Sequence, residues 1–314
     1  MSFKLHSRRI TLRKTALFCI AIMLVIASVA AFAEPVTLEY KFKVGDVDKY
    51  KMAMAMSMEM PGLPAKGGAP AMNFSMTMSY IQKVLAVNPD GTAKVQVTYG
   101  DMKFSGLPGD AKAKADTEAK TKAMAGQVMT AIMTKRGQML SVQGMDKVMA
   151  AAGMPSMDFS KFLNSASNQA LLPEGPVDVG QSWKQEVPMP FGSGRMSVTS
   201  TLDSTDQQLW GLQAAKVSQA FDGSFDIAEV LKAMMGGLKA GTKGAPDLSS
   251  MSGTVNLNGK MDFLFAPAIG KLLNGGGSMQ MKLTMNLPPE AVKQGAPASV
   301  DMNMNMQINI TRYK

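Results

Sequence analysis

Residues 50–60 read Tyr-Lys-Met-Ala-Met-Ala-Met-Ser-Met-Glu-Met. The even positions Met52, Met54, Met56, Met58 and Met60 are apolar and the odd ones are small or polar. Side chains of a strand alternate between two faces, so this spacing predicts a strand with one dry and one wet side. Working outward, Met72, Phe74, Met76, Met78 and Tyr80 repeat the pattern, and so do Ala93, Val95, Val97 and Tyr99. Late in the chain Val255, Leu257, Met261, Phe263 and Phe265 share a face, as do Met279, Met281, Leu283 and Met285. Met302, Met304, Met306, Ile308 and Ile310 alternate with Asn303, Asn305, Gln307 and Asn309. Half-wet strands of this kind belong to antiparallel sheet, because parallel strands buried on both sides read as continuous apolar runs.

Three local patterns occur twice. Val44-Gly45-Asp46 leading to Tyr50 returns as Val179-Gly180-Gln181 leading to Trp183. Asn88-Pro89-Asp90-Gly91 followed by Ala93-Lys94-Val95 returns as Trp210-Gly211 followed by Ala215-Lys216-Val217. Met133–Val142 around Gly137 returns as Phe265–Asn274 around Gly270. The fold class expected is α+β, mainly antiparallel β: an internally duplicated, curved sheet or half-open barrel of roughly ten strands with a few amphipathic helices. The halves are 34–172 and 173–314, forming one compact unit. Helices are expected from Asp110 to roughly Met129, over Met157–Leu172, and behind the capping-box spacing Asp226-Ile227-Ala228-Glu229. Pro61–Ala71, Gly241–Ser250 and Pro288–Pro297 read as loops. Arg136-Gly137 and Ile269-Gly270 read as hairpin tips, and Trp183 and Trp210 as core anchors.

Residues 1–33 have the three parts of a signal peptide. Lys4, Arg8, Arg9, Arg13 and Lys14 precede an apolar run from Ala16 to Phe32, and Ala31-Phe32-Ala33 is a small-x-small site. Cleavage is expected after Ala33, with export to the periplasm or extracellular space. Ser7-Arg8-Arg9-Ile10-Thr11-Leu12-Arg13 also resembles a twin-arginine signal, with Thr11 in place of the usual Phe, so both export routes stay open. Large Phe18 before Cys19 argues against a lipoprotein.

This leader carries the only His (His6) and the only Cys (Cys19). The remaining chain can build no Ser-His-Asp or Cys-His arrangement, no disulfide and no zinc site of the usual ligands. Lys+Arg falls from 33 to 28 on cleavage while Asp+Glu stays at 24, so the net charge drops from +9 to +4. No basic-aromatic patch of nucleic-acid type is present. Carboxylates are the acid-base groups that remain. Asp226 and Glu229 read as a helix cap, and Asp222, Asp203, Asp206, Asp46 and Asp48 as turn residues. No catalytic residue, metal site or cofactor is expected. Lys112, Lys114, Lys120 and Lys122 form a basic helix face, either solvated or in contact with an anionic envelope surface.

Methionine is the anomaly: of 31, Met1 and Met23 lie in the leader. The bland explanation is that Met stands in for Val and Leu as the core-facing residue, since it fills irregular space and repacks easily. On that basis Met52–Met60 and Met302–Met306 should be almost fully buried. Two alternatives use the same residues. A flexible Met-lined cavity suits an apolar ligand of variable shape, with Met54, Met56, Met76, Met78, Met281 and Met304 as candidate lining. Soft thioethers also suit Cu(I) or Ag(I). Neighbours two apart on one strand are about 7 Å apart, however, so chelation needs a second strand.

Lys43-Val44-Gly45 leading to Tyr50, and Leu172-Pro173 leading through Val179-Gly180-Gln181-Ser182-Trp183, resemble an uncharacterised family of exported bacterial β-rich proteins. Gly259-Lys260-Met261-Asp262-Phe263 and Gly270-Lys271-Leu272 fit the same resemblance, which covers most of residues 36–312. It implies the fold and transfers no site residues. In shape alone the pattern is similar to the half-open barrels of periplasmic lipoprotein carriers, and fold does not fix function. The expectation is an exported, non-enzymatic envelope protein that binds an apolar or amphiphilic ligand such as a lipid. The alternatives are Cu(I)/Ag(I) binding through thioethers, or a structural envelope protein without ligand.

Overall fold

The computed structural model describes residues 34–59, 72–106, 111–151, 172–188, 194–226, 252–287, 292 and 297–313. The chain divides between Pro35 and Val36, and the fold is that of the unit Val36–Lys314. Its elements run β1 (Val47–Glu59), β2 (Met72–Val87), β3 (Ala93–Ser105), α1 (Ala111–Met124), β4 (Val128–Met133), β5 (Met139–Gln143), α2 (Met145–Ala151), β6 (Ser182–Pro188), β7 (Arg195–Leu209), β8 (Leu212–Asp226), β9 (Ser252–Ala266), β10 (Lys271–Asn286) and β11 (Ser299–Tyr313). Eleven strands form one sheet in the order β5-β4-β3-β2-β1-β11-β10-β9-β8-β7-β6. Every neighbouring pair is antiparallel.

That order is a five-stranded meander written twice. β1 to β5 lie side by side in sequence order, β6 to β10 do the same, and β11 stands between β1 and β10. The repeated sequence patterns occupy equivalent places. The turn before β1 bonds Asp46 N–H to Lys43 O at 3.0 Å, and the turn before β6 bonds Gln181 N–H to Asp178 O at 3.0 Å. Gly45 then donates to Val84 O on β2, as Gly180 donates to Leu202 O on β7. Both glycines sit at φ near +90° (89° and 86°), and a Cβ at either would meet nothing within 4 Å. Glycine is therefore needed there for its backbone conformation and not for space. The β2–β3 and β7–β8 hairpins, and the β4–β5 and β9–β10 hairpins, are the other two matched pairs.

Most of the core is gathered at one end of the sheet, with Val198, Val255, Leu257 and Val300 buried beyond it. Leu202, Ala215, Val217 and Phe265 form one cluster with Leu38, and Val84, Ala93 and Val95 form another beside Phe42. The segment Val36–Phe42 joins them. Val36 exchanges backbone bonds with Val177, Tyr40 N–H donates to Lys135 O, and Lys41 N–H donates to Gly270 O. The β4–β5 turn also meets the chain ahead of β6. Leu172 N–H donates to Arg136 O at 3.2 Å, and Arg136 Nε–H donates to Leu172 O at 3.0 Å. The two sheet edges, β5 and β6, are thus drawn towards each other at this end. Register shifts at Val84/Ala86, Leu202/Ser204 and Leu272/Asn274 lie there too, and bulges of this kind increase bend and twist. The result is a curved sheet, open between β5 and β6, that is packed at one end.

Several expectations are corrected. The first helix stops at Met124, because 128–133 pairs as β4 against β3. Asp203 and Asp206 lie within β7, where register shifts make a bulged strand resemble a turn. Trp210 is not a core anchor: it sits 45% exposed at the tip of the β7–β8 hairpin with φ 54°. With Gly211 at 75° it forms a two-residue connection with both φ positive, which suits the strand twist. Trp183 is half-buried against the first cluster. α2 was not foreseen. The expected helices over Met157–Leu172 and behind Asp226 lie outside the described residues, apart from Leu172 and Asp226 themselves. So do the three expected loops, apart from Val292 and Pro297, and Met60. Among the described residues no helix is long and apolar enough to cross a membrane.

The methionine strands are only half-buried. Met52, Met54, Met56 and Met58 are all intermediate in exposure, as are Met302, Met304 and Met306. Alternation shows which face is drier, and no second layer of described residues covers this one. Truncating the packed end should therefore matter more than truncating the open end. We expect Phe265→Ala to lose about 3–5 kcal/mol and Met304→Ala about 1 kcal/mol, measured by denaturant unfolding.

Candidate functional site

Directly opposed residues of an antiparallel pair share a face, so the register converts the strands into rows. One row runs Met102–Met78–Met52–Ile310 across β3, β2, β1 and β11. The next runs Phe104–Met76–Met54–Ile308, and the next Phe74–Met56–Met306–Met279. A fourth runs Met72–Met58–Met304–Met281–Leu257. All six sequence-predicted lining residues, Met54, Met56, Met76, Met78, Met281 and Met304, therefore lie on one face of four adjacent strands. Each is half-buried. The opposite face carries Asn305, Gln307 and Asn309 beside Ser57 and Ala55, and these three amides are exposed. Ser75 and Ser105 hydroxyls hydrogen-bond across that face at 2.7 Å.

At its β3 border the methionine face meets a cavity of about 700 Å³. Among the described residues the upper part of β3 has no strand beyond it, because β4 pairs only with Ala93–Thr98. α1 stands there instead. The cavity lies between them, lined by Met102 and Phe104 from the methionine face and by Thr117, Glu118, Thr121 and Lys122 from the helix. Its size is that of an ordinary ligand pocket. The lysines expected to form a basic helix face, Lys112, Lys114, Lys120 and Lys122, are all exposed, and Lys122 pairs with Glu118 at 3.0 Å.

The packed end holds a charge network that the turn reading of Asp46 and Asp48 missed. Asp48, 5% exposed, accepts from Lys271 Nζ at 2.6 Å and from Arg312 Nε at 2.8 Å. Lys271 also reaches Asp46 at 2.9 Å. The alternation contains the signal for two of these. Asp48 is in phase with Tyr50 and Met52, and Arg312 with Ile308 and Ile310, so each charge falls on the dry face. Tyr50 stacks on Tyr80 at 5.2 Å, and its hydroxyl donates to Leu272 O at 3.3 Å. Burial first, then the nearby Asp48 charge, raises the Tyr50 hydroxyl far above its ordinary range. Burial alone pushes Tyr40 up to about 12. Burial, followed by the neighbouring tyrosines, does the same to Tyr80.

The other predicted acids are elsewhere. Asp222 and Asp226 are exposed on β8, and Glu229 lies outside the described residues. Asp203 accepts from Ser218 at 3.0 Å and lies 3.7 Å from Lys216, which is also paired with Asp262 at 3.2 Å. The hydrogen bond and charge of Asp262 raise the Lys216 ammonium above its ordinary value. Asp90 caps its hairpin: the backbone N–H of Thr92 donates to it at 2.8 Å, the main reason its carboxyl is held below the usual value. These pairs brace strands and turns, and none converges on the cavity. Among the described residues no group of three or more His, Cys, Asp or Glu is placed to hold a metal ion.

No family model matches the chain, and no curated protein matches it. Among solved structures it is similar to lipovitellin, solved for its lipid–protein interactions, at 9% identity with a TM-score of 0.44. That match covers 87% of this chain and 25% of the other, so the chain spans about a quarter of lipovitellin. DynF, from the dynemicin biosynthesis pathway of Micromonospora chersina, matches at 9% identity with a TM-score of 0.19, covering 88% of this chain and 85% of that one. At these values neither likeness assigns a residue or a ligand to this chain.

Two outcomes follow for the packed end. Asp48→Ala, which strands Arg312 and leaves Lys271 only Asp46, should lose about 3–5 kcal/mol, whereas Asp48→Leu with Arg312→Met should recover most of it. Denaturant midpoints of the three proteins check this. Alkaline pH should also unfold the protein. A phenol raised from 10.0 to about 12 in the fold favours folding fully below 10.0, and that contribution disappears as pH climbs through the window to about 12. Unfolding midpoints should fall across that window, in step with tyrosinate absorbance.

Proposed function

We propose that this chain is an exported, non-enzymatic protein of the cell envelope. Its methionine face binds the apolar part of an amphiphile such as a lipid. The observation that supports this reading is the partial exposure of that face. Four rows of Met, Phe and Ile side chains run across at least four strands, with no described layer over them. Soluble proteins rarely leave an apolar surface of that extent without a use for it. The cavity beside α1 continues it and offers Thr117, Thr121, Glu118 and Lys122 to a polar headgroup.

The choice of residue fits the same reading. The packed end is built from Val, Ala, Leu and Phe, and Met129 is the one methionine among the buried core residues described. Methionine is concentrated where the surface stays open and a bound chain of variable shape would need walls that adapt. No His or Cys follows residue 33, which supports binding over covalent catalysis.

Expressed with its own leader, the protein should leave the cytoplasm and begin at Glu34. Lipid should be found by mass spectrometry of its organic extract, and a fluorescent fatty-acid probe should be displaced by added lipid. Met54→Gln with Met304→Gln should weaken probe binding about tenfold or more while leaving unfolding cooperative. A folded wild-type protein that yields no lipid and binds no probe would instead favour the structural reading.

A further inference from the structure

The register sets six methionines side by side at the centre of the sheet. Met56 faces Met306, which faces Met279, and Met58 faces Met304, which faces Met281. Opposed side chains on neighbouring strands start about 5 Å apart at Cβ, and those two apart on one strand about 7 Å. Each of these methionines therefore has a second thioether across the strand gap. Met304 and Met306, on the middle strand β11, have one on either side. Rotation about χ1 and χ2 moves each sulfur and χ3 turns its methyl aside, so sulfurs starting on this grid can lean towards one point. A lone Met-x-Met strand lacks this arrangement.

We infer that this patch is a binding site for a soft monovalent metal ion, Cu(I) or Ag(I), held by three or four thioethers around Met304 and Met306. Three features support the assignment. Soft thioether donors select soft monovalent ions over Mg, Ca or Zn. The patch is half-exposed, so an ion can reach it. No Cys or His lies anywhere after residue 33, so no stronger soft ligand draws the ion elsewhere. The site does not depend on amphiphile binding, because it needs sulfur and not merely an apolar surface.

Leucine separates the two properties, since Met→Leu keeps the volume and apolarity and removes the donor. The purified chain from Glu34 onward should bind Ag(I) saturably in calorimetry and compete for Cu(I) with a chromophoric chelator. Met304→Leu with Met306→Leu should weaken Ag(I) binding at least about tenfold while unfolding stays cooperative. Met261→Leu, on β9 opposite Gly277 and Gln219 and with no methionine directly across either strand gap, should leave Ag(I) binding unchanged. In the wild type, methyl resonances of the six methionines should shift with Ag(I) while those of Met129 and Met261 stay in place. The inference is overturned if the wild type binds no Ag(I) saturably, if the control variant loses as much as the central pair, or if the shifts spread over all methionines.

Discussion

The buried contact of Asp48 with Lys271 and Arg312 holds the place where the two meanders are joined. Each meander is complete in itself, and β11 fills the gap between β1 of the first and β10 of the second. Asp48 stands on β1, Lys271 on β10 and Arg312 on β11, so one carboxylate ties the three strands of the seam at their packed ends. Buried ion pairs contribute little net stability, because desolvation offsets most of the attraction. Their value here is in specifying a junction. The turn alignment that matches Gly45 with Gly180 places Trp183 where Asp48 stands, and the match of Gly137 with Gly270 places Gln138 where Lys271 stands. The duplicated positions carry no charge, so the same three-way contact cannot form at the free edge of β6. In a chain whose halves repeat, a charge set that occurs once marks the correct neighbour.

Everything on the dry face follows from what lies above or below that seam. Below it, the segment Val36–Phe42 lays Leu38 and Phe42 onto the sheet and brings the outer hairpins into contact, so residues such as Val95, Leu202 and Phe265 become inaccessible. Above it the strands continue with the same alternation but without that plug. The methionines there shield one another laterally and remain half-buried, while Val198, Val255, Leu257 and Val300 are buried. Methionine becomes frequent beyond the same boundary, alongside Phe74, Phe104, Ile308 and Leu257. A branched side chain is stiff at χ1 and packs well against a fixed partner. An unbranched thioether loses less by lacking one.

Much of this was legible in the alternation and in the repeated turns. Period 2 locates the long strands because it reflects backbone geometry, which the chain carries locally. The echoes at Gly45/Gly180 and Gly137/Gly270 survive because positive φ restricts the residue that can stand there. Other features depend on contacts between distant segments. The position of β11 between β1 and β10 is a pairing of residue 49 with residue 313, which no local pattern encodes. The degree of burial of Met304 depends on whether another layer exists, and alternation gives only the sign of the difference between faces. Asp48 resembled a turn residue because Gly45 precedes it. Its phase with Tyr50 and Met52 was the contrary signal, and burial decided in favour of phase. The β7 acids were misread for the opposite reason, since a bulged strand breaks the alternation that would have revealed it.

An open apolar face is ordinarily an aggregation hazard, and the architecture limits this one. On β2, β1, β11 and β10 the face is interior to the sheet, where each strand has both hydrogen-bonding neighbours and cannot recruit another chain by strand addition, and beside the upper part of β3 stands α1. The reverse face is lined with Asn, Gln, Ser and Thr, which gives the sheet one wetted side. Curvature, set by bulges near the packed end, turns flanking strands towards one another and reduces what a flat partner can reach. What fits such a surface is something narrow and deformable, or something small and soft. A second folded domain of fixed shape fits it less well. The same geometry that leaves the methionines half-buried among the described residues therefore also restricts what can cover them.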